Sequence, residues 1–256
     1  MTDILFQERI TIDVNKKTVL ISGTASGIGL ATARKYLSKG YEVCGIDIER
    51  NESEPQIDSF FCDISDEAAV KNVFIQISEK YQCINYLVNC AGIFFDKARY
   101  YIEDMCLSEF DRVISVNLAG TILVTKFAIP LLRTALGDKA IVNVSSDQAI
   151  YPRKRNSAYA VSKAGILNFS LACATELLED RIRVNTVLPA SVRSGFLRNF
   201  SCSGTNISKI YKKEEERIPF GIIEPEEVAN LIFFLGSENS KKITGQSIMM
   251  NSGLYL

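Results

Sequence analysis

The chain contains no histidine. Without an imidazole, Ser-His-Asp and Cys-His nucleophilic mechanisms are excluded, as are His-ligated zinc and haem sites. Proton transfer falls to Tyr, Lys, Asp, Glu, Cys or water. A dominant charge is also missing. Lys and Arg number 29 against 30 Asp and Glu, a net charge of −1, which gives no electrostatic footprint for a nucleic acid. No uninterrupted apolar run reaches the ~18 residues of a membrane span. The seven cysteines (Cys44, Cys62, Cys83, Cys90, Cys106, Cys173 and Cys202) are scattered without a C-x-x-C pair. Neither a thiolate metal centre nor a redox pair is expected, so no metal site is assigned. Several cysteines sit in apolar strand-like runs, where a thiol acts as a small hydrophobe. Free thiols in this number fit a reducing, cytoplasmic compartment. The opening MTDILFQERITIDVNKK carries acidic residues early and no long apolar core, so it does not read as a signal peptide.

What is present is a soluble globular mixture, 47% hydrophobic and 23% charged over 256 residues. No repeat or low-complexity linker divides it, and one domain is expected, with residues 1–15 as a short extension. Apolar runs then alternate with helical patterns. Strands are expected at residues 18–22, 41–47, 59–63, 84–88, 140–146, 183–189 and 246–250. Helices are expected from Gly27 to Ser38, closed by Gly40, and from Ser65 on, where Val70, Val73, Phe74 and Ile77 make one apolar face. A long helix from a Ser108 cap to about Thr134, bent or shortened at Pro130, follows. Two more run from Ser157 to about Leu178 and from Pro225 to Leu235. Strands apolar along their length, alternating with helices, predict an α/β fold: a Rossmann-like, doubly wound parallel sheet of about seven strands with helices on both faces. Such a sheet holds its ligand beyond the carboxyl ends of the strands, where strand order reverses.

The string SGTASGIG (22–29) stands between the first strand and the first helix, with Gly23, Gly27 and Gly29 spaced G-x-x-x-G-x-G. Glycine permits a tight turn and lets backbone approach a pyrophosphate at a helix N-terminus. Asp47 ends the second strand, where its carboxylate can accept hydrogen bonds from an adenosine ribose and would repel a 2′-phosphate. NAD is therefore favoured, while Arg50 keeps NADP open. Of ten tyrosines, only Tyr159 has a lysine four residues on, in YAVSK. At that spacing Lys163 shares a helix face with the phenol, and an ammonium there lowers a tyrosine pKa from its reference value near ~10.

Together these motifs resemble the short-chain dehydrogenase/reductase family. The resemblance runs from about Lys17 to Gly253 and rests on SGTASGIG, Asp63 after the third strand, NCAG at 89–92, Asn117, Ser146, YAVSK, RVNTVLPASV at 183–192 and ITGQ at 243–246. It implies reversible hydride transfer between a nicotinamide and a secondary alcohol or ketone, with an Asn117-Ser146-Tyr159-Lys163 tetrad. Tyr159 would move the proton and Lys163 would hydrogen-bond the nicotinamide ribose. Ser146, more than its neighbour Ser145, would orient the substrate oxygen, and Asn117 would hold a water by perturbing its helix. For the cofactor, the resemblance implies Gly23, Ser26, Ile28 and Gly29 at the phosphates, and Asp47 and Ile48 at the adenosine ribose. Asp63 and Ile64 would flank adenine. Asn89, Ala91 and Gly92 would lie along the middle of the dinucleotide, with Pro189 and Val192 at the nicotinamide.

The chain departs from the family pattern at Ser22 (usually Thr), Cys90 (the second Asn of N-N-A-G), Ala190 (usually Gly), Ser194 (near the usual Thr), and Asn251 and Ser252 (usually Asp-Gly). None removes a tetrad member. Residues 193–217 are expected to cover the substrate, with Phe94, Phe95, Phe196, Leu197 and Phe200 as a possible apolar wall. Arg153, Lys154 and Arg155 could attract an anionic group, and Asp147 and Gln148 could reach a polar one. A homotetramer or homodimer through segments 108–134 and 157–178 is implied. No nucleic-acid or membrane partner is expected. The alternatives to an alcohol/ketone enzyme are a 3-oxoacyl-thioester reductase and a non-catalytic NAD-binding sensor or scaffold.

Overall fold

The computed structural model describes residues 16–49, 53–94, 100–194, 211–212 and 214–256. The expected extension at 1–15, Arg50, Phe95 and most of the 193–217 segment, including Phe196, Leu197 and Phe200, lie outside the described residues.

The apolar runs pair as one parallel sheet. Its strands are β1 (Thr18–Ser22), β2 (Glu42–Asp47), β3 (Ile57–Phe61), β4 (Tyr86–Asn89), β5 (Lys139–Val144), β6 (Ile182–Pro189) and β7 (Ser247–Met250). They lie in the order β3-β2-β1-β4-β5-β6-β7, every neighbouring pair parallel. Order reverses between β1 and β4, where Ser22 stands opposite Asn89. The helices are α1 (Gly27–Ser38), α2 (Glu67–Lys80), α3 (Leu107–Ile114), α4 (Thr121–Thr134), α5 (Ser157–Glu176) and α6 (Pro225–Leu235).

The two-residue period of the strands divides the core. Leu20, Leu87 and Ile141 point to one face, where Val70, Phe74 and Ile77 of α2 and Val124, Ala128 and Leu132 of α4 cover them. Val19, Ile21, Val88 and Val142 point to the other, under Ala33 and Tyr36 of α1 and Val228, Ile232 and Leu235 of α6. Both faces are buried, which is why the strands read as continuous apolar runs.

Four expectations are corrected. β3 begins at Ile57 rather than Ser59 and ends at Phe61. It is the edge strand, and its burial alternates from buried Ile57 to Phe61, which is 63% exposed. The third helix starts after Cys106, not at a Ser108 cap: the Ser108 hydroxyl pairs with Cys106 Sγ at 3.2 Å. It is also not one α-helix, because Ser115–Gly120 forms a π segment between α3 and α4. Pro130 does not shorten α4, which continues to Thr134. Taken together, Leu107–Thr134 is long and apolar enough to cross a membrane. A search for uninterrupted runs misses it because Arg112 and Lys126 break the run. Its inner residues Val116, Val124, Ala128, Leu131 and Leu132 are buried in the core.

One buried charge pair ties the sheet to α6. The Arg183 side chain on β6 donates to Asp138 at 2.9 Å, to the carbonyls of Leu235 (2.8 Å) and Ser237 (3.0 Å), and to Ser240 Oγ at 2.8 Å. Both charged side chains are about nine-tenths buried. Removing one partner strands the other, so Arg183→Met should lower the unfolding free energy by about 3–5 kcal/mol. Urea denaturation measures this, and a loss under about 1 kcal/mol would contradict the role given to the pair.

Candidate active site

The turn after β1 is held by Gly23 N, which donates to Ile46 O at 2.8 Å. Gly23 has φ +84°, and a Cβ on it would stand 2.8 Å from Ala91 N; a Cβ on Gly29 would stand 1.9 Å from Gly23 O. The turn can therefore press against the segment after β4 only with glycine at both positions. It leads into the first turn of α1, whose N-cap Ser26 makes no side-chain bond and which has no acidic residue. Two other helices are capped by carboxylates: Asp66 accepts from Ala68 N and Ala69 N on α2, and Glu224 and Glu227 form a capping box on α6; α3 and α5, like α1, have no side-chain cap. The first turn of α1 thus keeps amides and a positive dipole end for an anionic ligand. A dinucleotide phosphate fits this cradle.

A cavity of about 830 Å³ opens beside it at the carboxyl ends of the strands. Gly23, Ser26, Ile28, Gly29, Asp47, Ile48, Asp63, Ile64, Ala91, Gly92, Pro189 and Val192 all line it, and so do Ser146, Tyr159 and Lys163. Asp47 is braced by the amides of Ala25 (2.8 Å) and Glu49 (3.1 Å), which fixes its carboxylate at the wall. Burial works to raise the Asp63 pKa, but the Ser65 hydroxyl and amide and the Arg112 guanidinium hold it below the usual carboxylate range. The Asn89 side chain does not reach the cavity. It is buried, donating to Thr125 Oγ1 at 3.0 Å and Asn143 Oδ1 at 2.7 Å, so it ties β4 to α4 and β5.

Tyr159 and Lys163 project from α5 against the end of β5. Lys163 Nζ donates to Val144 O at 3.0 Å and lies 5.7 Å from the Tyr159 ring centroid. Burial pushes the Lys163 pKa down to about 8, partly opposed by the Cys90 thiol. Burial pushes the Tyr159 pKa up; its hydrogen bond with Ser146 and the Arg153 charge pull it down, and Asp147 adds to the rise. The expectation that Lys163 lowers the tyrosine is therefore corrected. The ammonium sits over the ring and is spent on a carbonyl, and the phenol stands above its ordinary range. The Ser146 hydroxyl donates to Asp147 Oδ1 at 2.8 Å, whereas Ser145 Oγ is committed to Lys163 O at 2.7 Å. Ser146 also bonds to Tyr159.

Asn117 lies in the π segment and is fully buried. Its amide accepts from Ile93 N (2.7 Å) and donates to Ile93 O (3.0 Å) and Ser162 Oγ (3.1 Å). It clamps the segment after β4 to α5 rather than lining the cavity. Phe94, expected in an apolar wall, meets the Tyr159 ring edge-on at 5.2 Å. Two neighbours carry no signal in the sequence: Arg112 lines the cavity beside Asp63, and Tyr255 bonds Asp147. Arg153, expected only as one of a basic run, donates to Asp147 Oδ2 at 3.2 Å and lines the cavity. Among the described residues no group of His, Cys, Asp and Glu is placed to hold a metal.

Comparison with known proteins agrees with this geometry. The family profile described as enoyl-(acyl carrier protein) reductase matches residues 23–255. The 3-oxoacyl-(acyl-carrier-protein) reductase of Thermotoga maritima is 33% identical over 252 residues, covering 94% of this chain and 98% of that protein. The aldohexose dehydrogenase of Thermoplasma acidophilum superposes with a TM-score of 0.86 at 32% identity, covering 94% of this chain and 95% of that one. The 3-ketoacyl-(acyl-carrier-protein) reductase of Brucella melitensis, solved with NADH, superposes with a TM-score of 0.84 at 28% identity over 94% of this chain and 98% of that one. The chain belongs to the short-chain dehydrogenase/reductase family of oxidoreductases, which use nicotinamide cofactors on small-molecule substrates.

The Lys163 shift has a sign that stability measurements can read. Between its folded value of about 8 and its ordinary 10.5, the unfolded chain holds a proton that the folded chain does not. Stability therefore rises with pH across that window and is unaffected by this group below it. Relative to Lys163→Met, the wild-type unfolding free energy should climb by about 3 kcal/mol from pH 8 to pH 10.5. Parallel curves for the two proteins would show that burial does not perturb the lysine.

Proposed function

We infer that the protein is an NAD(H)-dependent oxidoreductase interconverting a secondary alcohol and a ketone. The observation that carries this reading is convergence: Tyr159, Ser146 and Lys163 line the same cavity as the uncapped first turn of α1. A dinucleotide laid from that turn along Ala91 and Gly92 would end beside Tyr159. When bound, the nicotinamide supplies or accepts the hydride. The chain's own residues do the rest. Tyr159 holds its proton tightly and donates it to the carbonyl oxygen as charge develops there. Ser146 orients that oxygen, and Lys163, partly discharged by burial, offers Nζ to a ribose hydroxyl and steadies the phenolate left behind. Asn117 holds the π segment that closes the wall and is the residue proposed to order a relay water.

The remaining assignments belong to the same reading. Gly23, Ser26, Ile28 and Gly29 would take the phosphates and Asp47 and Ile48 the adenosine ribose, with Asp63 and Ile64 at adenine and Pro189 and Val192 at the nicotinamide. Asp47 supports NAD over NADP, because a carboxylate fixed at the wall repels a 2′-phosphate. The 193–217 segment would cover the substrate; its described residues Tyr211, Glu214 and Arg217 reach the cavity. Half-exposed Val161 and Leu171 on α5 suit a second copy of the chain. The free thiols among the described residues suit the cytoplasm. A 3-oxoacyl-thioester reductase is the alternative substrate class, favoured by the names of the Thermotoga and Brucella relatives. A non-catalytic NAD sensor would have no use for Ser146 bonded to Tyr159.

Tyr159→Phe should reduce kcat by at least ~100-fold while NADH binding, read by fluorescence, stays within about twofold of wild type. Retained turnover would remove the tyrosine from its role. Asp47→Ala should narrow the ratio of kcat/KM for NAD over NADP. A wild type that already works faster with NADP at equal concentration would reverse the cofactor assignment.

A further inference from the structure

The segment after β7 returns to Ser146 through Asp147. Asp147 follows Ser146 directly, and its carboxylate is buried. Oδ1 accepts the Ser146 hydroxyl at 2.8 Å; Oδ2 accepts the Tyr255 hydroxyl at 2.7 Å and Arg153 Nη2 at 3.2 Å. The Tyr255 ring is itself placed by stacking on Tyr151, with centroids 4.2 Å apart. A buried carboxylate tolerates its surroundings only while its donors stay in place, so Asp147 is oriented by these partners. A serine hydroxyl has one proton to give. In the structure that proton goes to Asp147 and Oγ accepts from Gln148 N at 3.2 Å, while the bond that lowers the Tyr159 pKa draws on the same hydroxyl, so Asp147 and the tyrosine compete for it. The direction of Ser146 Oγ is thus set by Asp147, and that of Asp147 by Arg153 and the tail.

We propose that Tyr255 and Asp147 are positioning residues: the Tyr255–Asp147–Ser146 chain of hydrogen bonds lets the segment after β7 set where the serine oxygen stands relative to Tyr159. The inference rests on the oxidoreductase reading of the same cavity. It accounts for two residues expected to touch substrate, since Asp147 is committed to three donors and Gln148 accepts from Asn156 at 3.0 Å. The titratable and charged groups that bear on Asp147 are Arg153, Tyr255 from the tail and Tyr159 from α5, with Glu214 acting on Arg153. The Asp147 charge raises the proton affinity of both tyrosines.

The test pairs kinetics with a measurement that needs no turnover. Tyr255→Phe keeps the stacked ring and loses one hydroxyl; Asp147→Asn keeps the shape and loses the charge. Tyr255→Phe should lower kcat about tenfold, the worth of one hydrogen bond to a charged group, with dinucleotide KM and Tm unchanged. Asp147→Asn should move the rising limb of the alcohol-oxidation pH profile about one unit toward lower pH. The double variant should be close to the worse single one. In parallel, backbone amide hydrogen exchange across residues 253–256, followed by mass spectrometry, should be faster in Asp147→Ala than in wild type. A purely structural tail would lower Tm and leave kcat of the folded protein alone. Wild-type kcat in Tyr255→Phe, multiplicative losses in the double variant, or equal exchange rates would each overturn the proposal. If the wild type turned over no alcohol or ketone, the functional reading would fail by itself, and the exchange rates would still decide whether Asp147 holds the segment after β7.

Discussion

Lys163 Nζ is buried 3.0 Å from the Val144 carbonyl at the end of β5, and much of the site follows from the cost of keeping a cation there. The ammonium needs an acceptor, and a strand end supplies one. This places α5 at a set height over the sheet and brings Tyr159, one turn earlier, to the cavity wall. Burial then acts on both groups in opposite senses, releasing a proton from the amine and holding one on the phenol. A donor that keeps its proton until charge develops on a nearby oxygen suits carbonyl reduction. On the proposed reading, a nearby amine that burial partly discharges would respond when the phenolate forms.

The second determinant is a helix left without a cap. α2 and α6 satisfy their first turns with their own carboxylates, but α1 does not. In isolation that is a weak start for a helix. It persists because Gly23 and Gly29 let the turn pack against Ala91 and the segment after β4, which Asn117 in turn clamps to α5. The anion cradle and the catalytic wall are therefore linked through one short segment, Cys90 to Ile93. A change at Gly92, where a Cβ would stand 3.2 Å from Asn117 Oδ1, would be felt on both sides.

Much of this architecture was legible in the residues. Strands covered on both faces read as plain apolar runs, and glycine spacing marked the turn at the reversal of strand order. The misses have physical causes. β3 is an edge strand with one wet face, so its start was misplaced. A π segment adds a residue to a turn without disturbing the polarity pattern, so Asn117 could be singled out by family resemblance but its clamp on Ile93 could not. Asn89 is named as a cofactor contact through the NCAG resemblance, but its side chain turns into the core toward Asn143. The influence of Lys163 on Tyr159 was misjudged because helical spacing gives proximity and not the direction of an ammonium that has a carbonyl to satisfy. Tyr255 was invisible because its partner Asp147 lies 108 positions away.

The claim at the centre is that this cavity brings a nicotinamide and a carbonyl together beside Tyr159. The most direct measurement uses NADH deuterated at both C4 positions, offered with a panel of ketones that includes a 3-oxoacyl thioester, with the alcohols weighed by mass spectrometry. The account predicts a deuterium on the carbinol carbon of at least one product. NADH that binds while every ketone comes back unreduced, or an alcohol formed without the label, would contradict it.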